Sequence, residues 1–392
     1  MGLARFSDMK DHWSKSPIFC NNNFNCHMSR DRFLEIIREI RFDDPERIDG
    51  HEAPMNKLFT LMYTIMANSG ERYQPSSNLS LDEAMISFKG RHKSKVYMPH
   101  KPVRLGFKAF VLCDSETGYL LEWRMHNKQE NASTTKAVVL DLLAMFEDIN
   151  VYMDRYYSTT EIFEDLETCQ NIGACGTINQ HRCKLSPEMK DEIEQLENEK
   201  ALFYTHEELQ LCVWRTHKGK LVYMISTIHD NAMMKTQRFC LIKKERIQIE
   251  RPQVLEEYNR KVRGVDFFDQ QMRYYTFIHG CKKWYKKIAY YFLEVAILNS
   301  YVLYEIGTMR GELLDRKRYT ISIIESLLKF AANGIEKQLY QRKKKDCQLV
   351  NGMEKACILC LREGFRKRTS FQCGTCEVPL CVVECYDQHR LE

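Results

Sequence analysis

The sequence predicts an α/β protein in which a core of alternating strands and helices is interrupted by a β-containing insertion, flanked by helical segments and followed by a metal-ligand-rich module. Three observations carry that expectation. Strand and helix signals alternate between residues 79 and 180, the pattern changes to a charged helix and alternating strands between 186 and 252, and cysteines cluster beyond 355. At 392 residues with 44% hydrophobic content, the chain has length for two or three domains and enough apolar material to fill their cores.

The elements follow in order. Phe33, Ile36, Ile37 and Ile40 recur at helical spacing, with Ser29 placed to cap the start, and the first 75 or so residues are expected to be largely helical. Pro75-Ser76-Ser77-Asn78 marks a turn, after which Leu79-Ser80-Leu81-Asp82 begins an extended segment. Phe107 to Cys113 and Tyr119 to Met125 are apolar runs joined by Asp114-Ser115-Glu116-Thr117-Gly118, which predicts a hairpin. Ala137, Val138, Leu140, Leu142, Leu143 and Phe146 predict an amphipathic helix leading into a strand at Val151-Tyr152-Met153-Asp154. A capping box at Ser158 to Glu161 opens the next helix. Asp154 thereby closes a strand, where open α/β sheets hold their ligands.

In the insertion, a charged helix is expected over Glu188 to Lys200, with two strands around His217-Lys218-Gly219-Lys220. Helices resume at Val254 to Asn259, around Asp266, at Trp284 to Glu305 and from Ile321 towards Tyr340, and Arg342-Lys343-Lys344-Lys345 is expected as an exposed linker.

Composition limits the function classes. The net charge of +5, from 58 Lys and Arg against 53 Asp and Glu, is mildly basic, so any DNA-binding surface must be local. Sixteen cysteines in a chain of this length, whose start lacks an apolar signal region, point to a reducing compartment and to thiols or metal ligands. The longest apolar stretch, Ile288 to Tyr304, is broken by Glu294, Asn299 and Ser300 and is shorter than the ~20 residues that span a bilayer, which predicts a buried helix and no membrane partner.

The sharpest local signal is Cys357-x2-Cys360, Cys373-x2-Cys376, Cys381-x3-Cys385 and His389. Such spacing lets paired thiolates hold one tetrahedral Zn²⁺, and a filled site is architectural and not catalytic. The seven ligand-type residues satisfy one ion, and a second would need an eighth. Between 337 and 368, ten basic residues stand against three acidic ones, which reads either as a solvated linker or, beside a zinc module, as a phosphate-contacting surface that includes Arg342, Lys343, Lys344 and Lys345.

Asp82, Asp154, Asp266 and Asp269 are acids in apolar settings, and the last two lie three apart on one helix face. Clustered carboxylates suit Mg²⁺ or Mn²⁺, but from the residues alone caps and surface charges explain them equally well. Lys282, Lys283, Trp284, Lys286 and Lys287 form an aromatic-basic cluster that either stacks and neutralises DNA or begins the buried helix.

A family resemblance separates these alternatives. Leu81-Asp82-Glu83-Ala84-Met85-Ile86-Ser87-Phe88-Lys89-Gly90-Arg91, Tyr97-Met98-Pro99-His100-Lys101-Pro102, Gly106-Phe107-Lys108 and Thr117-Gly118-Tyr119 resemble, in order and spacing, the first catalytic block of piggyBac transposases. Asp154-Arg155-Tyr156-Tyr157-Ser158 is similar to their second block. Glu257-Tyr258-Asn259, Gly264-Val265-Asp266 and Asp269-Gln270 with Lys283-Trp284 are similar to their third, and the cysteines resemble their C-terminal domain. The similarity runs from about Asp11-His12-Trp13 to His389.

The resemblance implies an RNase H-like catalytic core with an insertion, flanked by helical segments that dimerise and bind DNA. It divides the chain into helical 1–78, core 79–180, insertion 181–253, core 254–276, helical 277–341, basic linker 342–354 and zinc module 355–392. It further implies that Asp82, Asp154 and Asp266 form a Mg²⁺- or Mn²⁺-binding catalytic triad, with Asp269 a fourth required acid. The implied activity is nuclear cut-and-paste transposition on double-stranded DNA by a homodimer, with insertion at TTAA and hairpin ends. The alternative is a domesticated, non-enzymatic DNA- or chromatin-binding derivative, and a third class is a zinc module that reads a protein partner. Intact aspartates favour the enzyme, whereas a start partway into the family's helical region favours the derivative.

Overall fold

Strand β1 (Asn78–Ser87) is apolar on both faces: Leu79 and Leu81 enter one buried cluster, while Ala84 and Ile86 enter another. A strand of that kind belongs in the middle of a sheet covered on both sides. The computed structural model describes the chain outside residues 1–2, 4–5, 7, 17, 20–23, 25, 43–56, 100, 127–134, 241–243, 277–280, 310, 346–347, 363–366, 375–377, 382–384 and 386–392. It divides into two compact units, Met1–Leu313 and Leu314–Glu392.

In the first unit β1 lies between β3 (Leu105–Asp114), antiparallel to it, and β5 (Asn150–Met153), parallel to it. β2 (Val96–Tyr97) and β4 (Leu120–Met125) pair the outer side of β3, and β6 (Gly173–Thr177) pairs β5 in parallel. The turn between β3 and β4 holds Gly118 at φ 67°, which a side chain would strain. Three antiparallel strands followed by two parallel ones make an RNase H-like core.

Helices cover both faces. α1 (Arg30–Glu39) and α2 (Phe59–Arg72) precede the sheet, and a short 3-10 turn spans Met9–Trp13. α3 (Thr135–Leu143) and α4 (Thr160–Gln170) bury Val139, Leu143, Phe163 and Leu166 against Leu79, Leu81, Val151 and Met153. The N-cap of α4 is Thr159, whose hydroxyl accepts the Ile162 N–H. Ser158, expected in that role, is buried and donates to the Asp154 carbonyl at 3.0 Å.

The insertion contains α5 (Pro187–Gln195), β7 (Ala201–His206), β8 (Leu209–Arg215) and β9 (Leu221–Ser226). β9 pairs antiparallel with β6, so these strands extend the core sheet to nine, in the order β2-β3-β1-β5-β6-β9-β8-β7 with β4 on β3. The helix is shorter than the expected Glu188 to Lys200, because the chain turns extended at Leu196 and left-handed at Glu199 to enter β7. β10 (Met233–Cys240) and β11 (Glu245–Pro252) make a separate two-stranded ribbon.

The chain then returns through α6 (Gln253–Lys261), α7 (Gly264–Tyr274) and α8 (Trp284–Gly307). α7 and α8 place Val265, Phe268, Phe292 and Val295 against Ile86, Ala109 and Val111. Asn299 on α8 is buried because its amide completes the start of β4: it donates to the Leu120 carbonyl at 2.9 Å and to Ser69 Oγ at 3.2 Å, and accepts the Leu120 N–H at 3.1 Å. Asn299→Ala would strand both Leu120 groups away from water, and a loss of about 2–4 kcal/mol is expected from the denaturant midpoint. A change below about 0.5 kcal/mol would mean that these groups find other partners. Among the described residues no helix is long and apolar enough to cross a membrane.

The second unit holds α9 (Arg316–Lys345), the antiparallel pair β12 (Leu349–Ala356) and β13 (Arg368–Cys373), and the short α10 (Ile358–Arg362). α9 runs through Arg342-Lys343-Lys344-Lys345, where a linker is expected, since Lys and Arg are good helix formers and no proline interrupts the helix before them.

Candidate active site and metal centre

Parallel pairing of β1 with β5 sets Leu81 beside Met153. The next residue on each strand is an acid, Asp82 and Asp154, and neighbouring strands lie ~4.8 Å apart. Asp154 leaves the sheet in a turn in which its Oδ1 accepts the Tyr156 N–H at 2.7 Å.

α7 reaches the same place by close approach. The Val265 N–H donates to Ser80 Oγ at 3.0 Å, and a Cβ on Gly264 would lie 2.7 Å from the Asp114 carbonyl oxygen and 2.9 Å from Ser115 Cα, so only glycine lets the helix settle this tightly. From that anchor four helical residues advance roughly 6 Å and two strand residues roughly 6.7 Å, which matches Asp269 on α7 to Asp82 on β1. Asp266 follows Val265 by one residue, turned away by about 100°, and is exposed in the first turn of α7.

Lys101, in the Pro-flanked loop before β3, sits at the junction. Its ammonium lies 3.4 Å from Asp82 Oδ2, 3.6 Å from Glu83 Oε2 and 3.2 Å from the Glu83 carbonyl oxygen. It also acts electrostatically on Asp154 and Asp269. Behind it the buried Lys108 and Glu83 pair at 2.9 Å, with the Lys108 ammonium 4.5 Å from the Tyr156 ring centre. Burial, with the neighbouring Glu83, pushes Asp82 up to about 8 despite Lys101. Burial would raise Glu83 as well, but hydrogen bonds from Asp82 and Lys108 hold it down at about 2. Burial also raises Asp154, and it raises Asp269 to about 6 against the pull of Arg273 and Lys101. The buried Tyr157 hydroxyl is raised by burial and by the nearby Glu83, Asp82 and Asp154.

A hard divalent cation fits this donor set in kind. The site offers carboxylate oxygens whose ionised forms burial disfavours, and the Lys101 ammonium is a cation already drawn to them. Among the described residues these acids are not drawn together to within 4.8 Å of one another. A cleft of ≈ 830 Å³ is lined by Asp154, Glu83 and Lys101 and by Tyr97, Arg155, Tyr156 and Arg182, while Asp82, Asp266 and Asp269 are not among its lining residues. Tyr97 and Tyr156 are 64% and 44% exposed, so the cleft presents aromatic faces beside guanidinium groups.

The family model described as Transposase IS4 matches this chain over residues 1–301. The chain belongs to the piggyBac-type transposases of that family. PiggyBac transposable element-derived protein 2 of Homo sapiens is 24% identical over 336 residues, covering 81% of this chain and 56% of the relative. PiggyBac transposable element-derived protein 3 of Homo sapiens is 23% identical over 406 residues, covering 95% and 65%. The chain therefore spans less than two thirds of either relative. A solved structure described as a piggyBac transposase synaptic complex with hairpin DNA shares the fold, with TM-score 0.69 and 21% identity over 83% of this chain and 68% of that one.

In this piggyBac-type chain Trp284 opens α8 half-buried, its ring centre 4.9 Å from that of His92 and 6.5 Å from that of Phe107. Lys286 is buried and donates to the carbonyls of Ile37 at 2.5 Å and Arg38 at 3.0 Å, at the end of α1. Its ammonium is thus committed within the protein, whereas Lys282 and Lys283 are exposed. The side chains of Arg342, Lys343, Lys344 and Lys345 lie outside the described residues.

The second unit of this family member gathers Cys357, Cys360, Cys381 and Cys385, with sulfur atoms within 4.8 Å of one another. Cys360 Sγ lies 3.5 Å from Cys385 Sγ and 3.9 Å from Cys381 Sγ. The chain after β13 folds back to achieve this: the Leu380 N–H donates to Phe371 and the Ile358 N–H to Pro379, each at 3.0 Å. Burial would raise the Cys357 thiol, but hydrogen bonds from the Cys360 and Cys381 backbones hold it down at about 7. Cys373 does not join them. It pairs across from Leu349 and stays in the same buried cluster as Cys357, without its sulfur coming within 4.8 Å of all four. Cys376 and His389 lie outside the described residues.

Glu83, Tyr97, Lys101, Lys108, Arg155 and Tyr156 lie within the quoted family-like motifs but are given no role of their own by the sequence reading, and Arg182 is not singled out at all. Glu83 had a signal, a charge within an otherwise apolar strand. Lys101 had a weaker one, a basic residue between prolines.

Proposed function

We propose that this piggyBac-type chain is a divalent-metal-dependent DNA transposase that cuts at transposon ends and joins the freed ends to TTAA targets in the nucleus, as a homodimer. The observation that carries this is the convergence of β1, β5 and α7, which brings Asp82, Asp154 and Asp269 within electrostatic reach of Lys101 and beside an aromatic, basic cleft.

In this proposal Asp82, Asp154, Asp266 and Asp269 hold Mg²⁺ or Mn²⁺. Bound there, the metal activates water, or a 3′-OH, for in-line attack and offsets charge on the leaving oxygen. The protein's own part is positional. Glu83, fixed by Lys108, keeps Asp82 in place, and Lys101 shares the cost of holding the acids together. Arg155 and Arg182 meet the phosphodiester backbone while Tyr97 and Tyr156 offer stacking surfaces to unpaired bases at a hairpin end. Exposed Lys282 and Lys283, with Arg342, Lys343, Lys344 and Lys345, contribute further phosphate contacts. The four gathered cysteines hold one Zn²⁺, with Cys373, Cys376 and His389 as candidates for a second. We also propose the division into segments given by the sequence as the functional one.

Incubating the purified chain with supercoiled plasmid carrying candidate transposon ends, with Mg²⁺ and then with EDTA, tests this directly. Nicks confined to the ends and lost with EDTA are expected. Tight binding to the ends with no nicking in Mg²⁺ or Mn²⁺ would replace the enzyme by a domesticated DNA-binding derivative.

A further inference from the structure

The ribbon of β10 and β11 has two unlike faces. Cross-strand partners share a face, and successive residues alternate between faces. One face is tied to the protein: Ile247 and Ile249 are half-buried, Arg238 pairs with Glu199 at 3.1 Å and Arg251 with Glu256 at 2.7 Å. On the other face the register sets Lys235 opposite Glu250, Gln237 opposite Gln248 and Phe239 opposite Arg246, and all six are exposed.

Burial and packing do not explain that outer face. Phe239 is 56% exposed, beside Gln237 and Lys235 and with Met233, 41% exposed, at the other end of the same face. The two glutamines have no hydrogen-bond partner among the described residues, and the ribbon pairs with no other strand. Between 233 and 252 six basic residues stand against two acidic ones, a local positive excess in a chain that is close to neutral per unit length.

We infer that this ribbon enters the major groove of duplex DNA and reads sequence there, a role that rests on the transposase reading and extends it to a second DNA-contacting element away from the acids. A two-stranded antiparallel ribbon fits a groove ~12 Å wide. Gln237 and Gln248, side by side, each match the adenine N6 and N7 edge, Arg246 matches guanine O6 and N7, and Phe239 is suited to a thymine methyl. Lys235 and the basic residues near the turn neutralise the flanking phosphates. The carboxylate of Glu250 accepts from cytosine N4, which gives the surface one acceptor among its donors.

The test uses the full chain and a pool of randomised DNA duplexes, selected by binding without Mg²⁺ so that cleavage plays no part. Wild type is expected to enrich a motif. Gln237→Ala with Gln248→Ala should lower the preference for that motif about tenfold or more, while leaving affinity for bulk genomic DNA and the thermal midpoint unchanged. Lys235→Ala with Arg246→Ala should flatten the salt dependence of binding by a slope of about 1–2. Asp154→Asn should enrich the same motif as wild type.

An unchanged motif and slope in the ribbon variants would overturn the inference, as would a wild type that enriches nothing. So would a ribbon variant that changes self-association and not DNA binding, which would make the face a protein interface. Each of these results leaves the plasmid-nicking assay to decide the transposase reading separately.

Discussion

Asp82→Asn and Asp154→Asn are each expected to reduce Mg²⁺-dependent nicking by about a thousandfold, the kinetic equivalent of the several kcal/mol a bound metal contributes to transition-state charge. DNA affinity should change little, because the proposed DNA-contacting side chains are Tyr97, Tyr156, Arg155 and Arg182 around the cleft and the lysines beyond it. Without metal the variants should be about as stable as wild type, since burial already disfavours the ionised form of both carboxyls. The α7 acids give a finer result. Asp269 is partly buried and within electrostatic reach of Lys101 whereas Asp266 is exposed, so Asp269→Asn should cost more activity than Asp266→Asn. Quantitative nicking rates for the four single variants, with binding measured in parallel, decide the matter. Activity retained in Asp154→Asn would remove the acids from catalysis, and equal losses at 266 and 269 would mean that α7 rotates when metal binds.

The second large effect concerns the cysteines. Purified protein is expected to carry Zn²⁺ at the site of Cys357, Cys360, Cys381 and Cys385, and chelation or Cys360→Ser should unfold the hairpin of β12 and β13. Structural zinc contributes an apparent ~10–16 kcal/mol in small domains, and the apolar cluster here is little more than Leu359, Leu380 and the cysteines themselves. Rapid proteolysis beyond residue 345, with the first unit left intact, is the expected readout. Protein that is free of zinc and still protected in this region would show that apolar packing suffices.

Local pattern made much of this legible. The hairpin of β3 and β4, the strand ending at Asp154 and the buried α8 follow from alternation, turn residues and apolar periodicity, which are properties of neighbours in the chain. What pattern could not give was register. The cysteine grouping takes Cys381 and Cys385 to Cys357 and Cys360 and leaves out Cys373, which faces Leu349 across the hairpin, and no spacing rule contains that fact. The seating of α7 depends on Gly264 meeting the Asp114 carbonyl, a contact between distant segments. Lys286 looked basic and available, and only packing of α8 against the end of α1 shows its ammonium already engaged. The insertion read as a break in the pattern because its helix and strands change period, yet β9 continues the sheet begun by β1.

The hydrogen bond from Val265 to Ser80 spans 185 residues and is the seam through which α7 joins the sheet. At ribosomal rates of 5–20 residues per second, roughly 10–40 s separate the emergence of its two ends. During that interval β1 and β5 can pair while the acid on α7 has yet to be made, so a nascent chain carries an incomplete set of carboxylates. Loop closure over such a distance also slows folding, and the docking of α7 is the step that completes the set of carboxylates. The carboxylates contributed by β1 and β5 therefore wait for α7, and the proposed metal site is complete only after Asp269 has left the ribosome.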